Sequence, residues 1–567
     1  MSAAIKSPVV NPNRQKLRLA GHVLVDQLVI QGVTHAFGVP GESFLAVLDG
    51  FYERANQLQF VVCRQEGGAA NMAEAHGKLT GKPGICFVTR GPGATNASIG
   101  VHTAFQDSTP MILFIGQVGS DFADREAFQE IDYRRMFGQM AKWVAQIDRA
   151  DRIPEYVARA FQIAQSGRPG PVVLALPEDM LTQMVEVADA LKASPVQAAP
   201  SADEITDLIK LLQNAKKPLI ILGGSGWDKA ACDDIAQFAR TNHIPLSCAF
   251  RFQDLCDHHD GVYVGDVGIA INPKLAARVR DADVILALGP RLGEMTTSGY
   301  SLIESPVPKQ QLIHIHAGIN ELGSVYQAAL MINAGPKKIA STLKNIMLDS
   351  SAWSGLLQEA RLEFEQWQAE PVLLQKNHFA VNPWELMQEC KRQLPADTII
   401  TNGAGNFATW AHRFWRYGGF RTQLAPTSGA MGYGVPAGIA AKIVDPSRCV
   451  LTVAGDGDFQ MTCQELATAV QYQAGVIIIV FNNGIYGTIR MHQEKTYPAR
   501  VSGTAMFNPD FVMLAQAYGA YGCLVQNTKQ FAAALAGAIA FTRQRNLPAL
   551  IELSMDPRLI GPGMVLA

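Results

Sequence analysis

The sequence predicts an α/β chain of three doubly wound parallel-sheet domains. Three observations carry that reading. Short apolar runs alternate with helix-length segments from end to end. Each run is β-branched or aromatic and closes on Gly, Pro or a polar residue, the pattern of parallel strands buried on both faces. The 567 residues suit about three to five domains at roughly 100–200 residues each.

The expected strands of the first third are 34–40 (THAFGVP), 59–64 (QFVVCR), 84–90 (GICFVTR), 110–116 (PMILFIG) and 171–177 (PVVLALP). A polar stretch with two prolines, 192–203, reads as a linker. The middle third repeats the alternation at 218–224, 244–250, 284–289 and 311–316. An acidic and polar helical stretch at 352–375 leads to the last third, with strands at 398–403, 449–455, 476–483 and 549–555. The expected domains span 15–185, 200–345 and 380–556. The apolar run 531–541 (FAAALAGAIAF) reads as a buried helix.

Hydrophobic residues at 48% and charged residues at 17% exclude a disordered chain. A net charge of −2 gives no basic groove for nucleic acid. No apolar run approaches the roughly 20 residues of a membrane span, and the first residues lack a signal-peptide core. Nine scattered cysteines without a CxxC argue against a disulfide framework or structural zinc. A cytoplasmic enzyme acting on small molecules is expected, with no nucleic-acid or membrane partner.

Ligands of open parallel sheets bind beyond the C-terminal strand ends. There the sharpest signal lies in the last third. Strand 449–454 runs into Gly455-Asp456-Gly457, and twenty-four residues separate Gly457 from Asn482-Asn483 at the end of the next strand. That spacing fits one helix, from about Met461 to Gln473, and one crossover strand. A right-handed crossover then sets Asp456 and Asn483 on neighbouring strand ends. A hard cation such as Mg²⁺ takes carboxylate, amide and carbonyl oxygens, and flanking glycines admit a diphosphate to backbone N–H groups. A lone GDG is an ordinary strand–helix turn; both motifs at this spacing, each directly after an apolar strand, favour a metal and diphosphate site.

GDG-x24-NN resembles the thiamine-diphosphate signature of the decarboxylase and acetolactate-synthase superfamily. The likeness covers nearly the whole chain, in the order pyrimidine-binding, central and diphosphate-binding domain. It implies Mg²⁺ on Asp456, Asn483 and the carbonyl of Ile485, with Gly455, Gly457, Asp458 and Tyr486 against the cofactor. The segment 428–434 (SGAMGYG) resembles the stretch that bends thiamine, with Met431 wedged between its rings and the Gly429 carbonyl accepting from the 4′-amino group. By itself Met431 reads as an ordinary core methionine. Gly403, Gly405 and Asn406 match the diphosphate turn, and Gly41 lies in a turn lining the pyrimidine side.

Glu66 follows strand 59–64 and precedes an expected helix at 71–80. Alone it reads as an acid favoured by a helix N-terminus. The resemblance makes it the glutamate that a second subunit lends to the aminopyrimidine ring, so a homodimer or homotetramer is implied. Phe128 and Gln129 match a pair lining the substrate side, and His492 stands where biosynthetic synthases carry a channel tryptophan. Other positions depart: Gln65 and Gly67 flank Glu66 where His and Gln are usual, and Glu178 stands where the family has Lys. In the central domain Gly223–Gly226 and Arg291 resemble a flavin region, but His316 and Gly318 replace its acidic pair. FAD is therefore not expected.

The implied function is a thiamine-diphosphate- and Mg²⁺-dependent carboligase or decarboxylase, most like acetolactate synthase. The alternatives are a lyase or carboligase for 2-hydroxy ketones or 2-hydroxyacyl thioesters, a simple 2-oxo acid decarboxylase, or a non-catalytic binding protein of the same fold.

Overall fold

The computed structural model describes residues 17–566; the first sixteen residues, read above for a signal peptide, lie outside them. Three six-stranded sheets, parallel throughout, follow one another along the chain. The first holds β1 (His35–Gly38), β2 (Gln59–Val62), β3 (Gly84–Val88), β4 (Met111–Gln117), β5 (Trp143–Gln146) and β6 (Pro171–Pro177), in the order β2-β1-β3-β4-β6-β5. The second holds β7 (Pro218–Leu222), β8 (Leu246–Ala249), β9 (Tyr263–Val267), β10 (Val284–Leu288), β11 (Gln311–His316) and β12 (Leu330–Asn333), in the order β9-β8-β7-β10-β11-β12. The third holds β13 (Ile399–Asn402), β14 (Gln423–Leu424), β15 (Val450–Gly455), β16 (Ile477–Asn482), β17 (Tyr521–Val525) and β18 (Ala549–Ser554), in the order β14-β13-β15-β16-β18-β17.

The first and third sheets share one topology, and the second has the strand order of dinucleotide-binding folds. In the third sheet the order reverses between β13 and β15, whose register pairs Asn402 with Val453. Gly455 pairs with Phe481 on β16. The glycine-rich turns after β13 and β15 therefore leave the sheet side by side at the switch point.

A single apolar core joins the first and third domains. The helix Glu66–Thr80 packs against both Gly91–Asp107 and Gly434–Val444. Small residues make this possible: a Cβ on Gly100 would stand 2.4 Å from that of Ala70. The central domain keeps its own apolar clusters on the two faces of its sheet. Among the described residues no helix is long and apolar enough to cross a membrane, and all nine cysteines are free.

Three sequence expectations need correction. The five strands the apolar runs did not reveal, β5, β9, β12, β14 and β17, are all edge strands. Edge strands are short, and a run of two to five residues with Gln, Asp, Asn or Gly in it, as in WVAQ, YVGDV, LMIN, QL and YGCLV, gives no continuous apolar stretch. The helix expected at 461–473 is broken into Asp456–Gln460, a single turn at Cys463–Glu465, and Leu466–Gln471. The Thr462 hydroxyl at the break donates to the Gly432 carbonyl at 2.8 Å, which ties the interruption to the cavity described below. The run 531–541 is not wholly buried: helix Thr528–Arg545 buries only Phe531, Ala534, Leu535, Ala538 and Thr542, because it covers one side of the third sheet.

Candidate functional site

The ends of β13, β15 and β16 enclose a cavity of about 260 Å³. Gly405, Asn406, Gly429, Met431, Gly455, Asp456, Gly457, Asp458, Asn483, Ile485 and Tyr486 all line it. Gly403 lies just beneath: a Cβ there would fall 2.0 Å from Asp458 Oδ1, so only glycine lets that carboxylate sit under the turn. Gly457 is needed for a similar reason, since its Cβ would stand 2.7 Å from the Tyr486 ring. Gly429 has a φ of +69°, the left-handed region that disfavours a side chain.

Asp456 is buried at 3% exposure. Its Oδ1 accepts from the Gly457 N–H at 2.9 Å, and its Oδ2 from the Gly484 N–H at 2.7 Å and from Asn508 Nδ2 at 2.8 Å. Burial pushes this carboxyl above the ordinary aspartate range in spite of those three donors, a cost that a bound cation would remove. The Asn483 side chain folds back, its Oδ1 accepting from the Ile485 N–H at 3.1 Å. Asp456, Asn483 and Ile485 thus line one part of the cavity, and a carboxylate, an amide oxygen and a backbone carbonyl are the oxygen types that suit a hard divalent cation.

Asp458 ties two turns together. Its Oδ1 accepts from the N–H groups of Ala404 at 3.1 Å and Gly432 at 2.9 Å, while Oδ2 is buried without a partner. Burial pushes this carboxyl up to about 7. The close glycine turns after β13 and β15 leave backbone open to the cavity, as a diphosphate-bearing cofactor requires, and the orphaned Asp458 Oδ2 is an acceptor that calls for a donor.

The expected residues of the first domain stand apart from this cavity. Glu66 opens helix Glu66–Thr80, which begins five residues before the expected 71–80 because Gln65 caps it, accepting from the Gly68 N–H at 3.0 Å. The Glu66 carboxylate accepts from Asn96 Nδ2 at 2.9 Å. Gln129 has a φ of +66°, and its carbonyl accepts from the Gly91 N–H. Phe128 beside it is 75% exposed. Gly41 packs onto Thr89, whose side chain a Cβ would meet at 2.5 Å. Glu66, Phe128, Gln129 and Gly41 therefore gather at the C-terminal ends of β1–β3 and none lines the cavity of the same chain.

His492 lies on helix Gly487–Thr496 and faces a second cleft of about 870 Å³. This cleft joins the cavity at Gly405, Asn406 and Gly429 and runs to His102, Phe250 and Arg291. In the central domain His316 turns onto its own chain, its Nδ1 3.0 Å from the Gly318 N–H. Arg291 pairs with Glu321 at 3.2 Å. The turns after β7 and β10 press together: a Cβ on Gly224 would lie 2.1 Å from the Gly289 carbonyl oxygen.

Sequence reasoning missed two residues that hold this machinery. Asn508 bridges Asp456 to Asn482 Oδ1 at 2.8 Å and accepts from Gln460 Nε2 at 2.9 Å. It sits in a loop with no strand before it, so nothing local marks it. Glu465 of the third domain accepts from the N–H groups of Arg64 and Gln65, fixing the entry to the Glu66 helix. No short motif marks a contact 400 residues apart in sequence.

Comparison with known proteins agrees with this geometry. Three family models match: the thiamine pyrophosphate enzyme N-terminal TPP binding domain over residues 18–136, the central domain over 205–343, and the C-terminal TPP binding domain over 403–553. The chain is 28% identical over 551 residues to the acetolactate synthase large subunit of Haemophilus influenzae, covering 95% of both chains. It is 27% identical to the acetolactate synthase isozyme 3 large subunit of Escherichia coli over 94% of both. It is 30% identical over 580 residues to the mitochondrial acetolactate synthase catalytic subunit of Aspergillus candidus, covering 96% of this chain and 81% of that one. The chain belongs to the thiamine pyrophosphate enzymes and is a thiamine-diphosphate-dependent carboligase or decarboxylase most like acetolactate synthase.

Proposed function

We propose that this enzyme decarboxylates a 2-oxo acid and joins the remaining acyl unit to a second carbonyl compound, with Mg²⁺ as the metal. The observation that carries the reading is the convergence of Asp456, Asn483, Ile485 and the Gly429–Met431 turn on one cavity, in a chain similar to acetolactate synthases along its length. When bound, thiamine diphosphate supplies an electron sink beside the reacting carbonyl carbon. Asp456, Asn483 and Ile485 would hold Mg²⁺, and through it the diphosphate. The turns at Gly403–Asn406 and Gly455–Asp458 receive the phosphates, and Met431 props the rings. Glu66 from a second copy holds a proton at the pyrimidine N1′. His492, Phe128 and Gln129 orient the substrate.

Consumption of a 2-oxo acid with acyloin formation, dependent on added thiamine diphosphate and Mg²⁺, tests this on a panel of substrates. The preparation is expected to be colourless and active without flavin. The close contact of Gly224 with Gly289, where a dinucleotide pyrophosphate would pass, and the engagement of Arg291 by Glu321 support that. A stoichiometric band near roughly 450 nm, where oxidised flavin absorbs, would overturn the flavin-free reading. The 870 Å³ cleft favours a second reading, cleavage of 2-hydroxy ketones or 2-hydroxyacyl thioesters. Consumption of these with no 2-oxo acid turned over would move the assignment there.

The working unit is at least a homodimer with sites between subunits, in the cytoplasm, where free cysteines stay reduced. Apolar side chains ring both halves of the separated site: Leu45 and Phe128 near Gly41 and Glu66, and Met461, Ile489 and the fully exposed Phe507 near the cavity. Apolar groups clustered in this way mark a contact surface. Light scattering is expected to give no active monomer at assay concentration. A fully active monomer would refute the shared site.

A further inference from the structure

Arg251 follows β8 in the central domain, but its guanidinium reaches into the third domain. It is buried at 5% exposure. Its Nη1 donates to the Pro426 carbonyl, and its Nη2 to the Gly403 carbonyl at 3.0 Å. These carbonyls belong to the two turns that frame the cofactor cavity. The Pro426 carbonyl also accepts from the Gly429 N–H at 3.1 Å, so the guanidinium sits on the hydrogen bond that closes the turn presenting Gly429. The first domain holds the same turn: Asp107 Oδ1 accepts from the Thr427 N–H at 2.7 Å, and Lys78 pairs with Asp107 Oδ2 at 2.8 Å. Asp458 holds its far end at Gly432. All three domains thus clamp the segment that carries Gly429 and Met431.

Arg251 differs from the other members of the clamp. Its partners are carbonyls rather than carboxylates, and its buried Nε–H has no partner. Its φ is +61°, a left-handed conformation that a side chain disfavours and that persists only where surroundings impose it. Burial pulls the Arg251 guanidinium down from its ordinary range even though Asp107 and Asp458 lie close enough to favour its charge, and the buried cation and its orphaned donor both act against stability. A residue kept at a cost to the fold points to a role in the site.

We propose that Arg251 is a positioning residue for the cofactor, holding the Gly403 and Pro426 turns at a fixed separation across the domain boundary. The proposal rests on the thiamine-diphosphate reading of the cavity. A simple latch between domains would make the same two hydrogen bonds, but its loss would weaken the apoprotein first. Cofactor positioning predicts the opposite split.

The experiment uses the full-length protein and its Arg251→Met and Arg251→Lys variants. Thiamine diphosphate with Mg²⁺ is titrated by calorimetry, and the apoproteins are melted alone. Arg251→Met is expected to melt at or above the wild-type temperature as apoprotein and to bind the cofactor roughly 10- to 100-fold more weakly, the effect of two charge-assisted hydrogen bonds. Arg251→Lys keeps the charge but cannot reproduce the planar fork, so its affinity should fall between the two. Wild-type binding together with Arg251→Met binding within threefold of it overturns the proposal. So does an apoprotein destabilised in both variants with the cofactor affinity unchanged. If Arg251→Met does not fold, Arg251→Lys decides alone, and a wild-type affinity in that variant overturns it. Failure of the wild-type protein to bind the cofactor would instead remove the cavity reading, and the proposal with it.

Discussion

Replacing Glu66 with glutamine is expected to slow turnover by about 10²–10⁴-fold, the usual worth of a positioned acid–base group, with the fold and cofactor affinity nearly unchanged. Glutamine keeps the size of the side chain and an oxygen to accept from Asn96 Nδ2, now at 2.9 Å. The helix loses only the favourable interaction of its N-terminus with a negative charge, about 0.3–1 kcal/mol. The cap from Gln65 and the hold of Glu465 on the preceding backbone remain. What disappears is a carboxylate able to share a proton with the pyrimidine ring. Exchange of the thiazolium C2 proton for deuterium, followed by NMR in the loaded protein, isolates that step from substrate binding. An exchange rate equal to wild type would remove Glu66 from the chemistry.

The parts of this molecule that were legible in sequence are those where one local rule decides the structure. Strand β6, buried throughout, appears as an unbroken apolar run with the observed bounds, and β11 (QLIHIH) is found with its observed bounds from its alternating Leu, Ile and His. The GDG and NN motifs each close such a strand, so their placement followed from strand adjacency alone, and Asp456 does accept from the Gly484 N–H beside Asn483. What stayed hidden depends on distant partners. Edge strand β14 is two residues long and exists because β13 offers it a ladder. Asn508 matters because it reaches Asp456 from fifty-two residues away. Arg251 belongs by sequence to one domain and by contact to another. Glu66 shows the limit from the other side: its role was suggested by resemblance, but a single chain leaves it outside the cavity it is meant to serve.

Replacing Asp456 with alanine is expected to abolish Mg²⁺-dependent binding of thiamine diphosphate. The carboxylate provides the negative charge beside Asn483 and Ile485, and a hard divalent cation needs such a ligand to leave water. Alanine would also strand the Gly484 N–H and Asn508 Nδ2, both now within 2.8 Å of Oδ2, so some loss of apoprotein stability should accompany it. Asp456→Asn narrows the structural loss, because its amide oxygen can still accept from the Gly484 N–H and Asn508 Nδ2 and only the Gly457 N–H loses its acceptor, while the charge is gone. At a cofactor concentration of about 100 times Kd, binding stabilises a folded protein by about 2.7 kcal/mol. That thermal shift should appear in wild type, vanish with a chelator, and be absent from both variants. A tight, chelator-insensitive complex with Asp456→Ala would refute the assignment. The two inactive variants also test the shared site together. If Glu66 and Asp456 of one working site come from different chains, coexpressed Glu66→Gln and Asp456→Ala chains form mixed dimers with one site intact and the other doubly damaged. With random pairing, half the dimers are mixed and each keeps one site of two, so about a quarter of wild-type activity should return in a two-fold symmetric assembly. No recovery above either variant alone, with mixed dimers demonstrated by mass, would mean that each chain builds its site unaided.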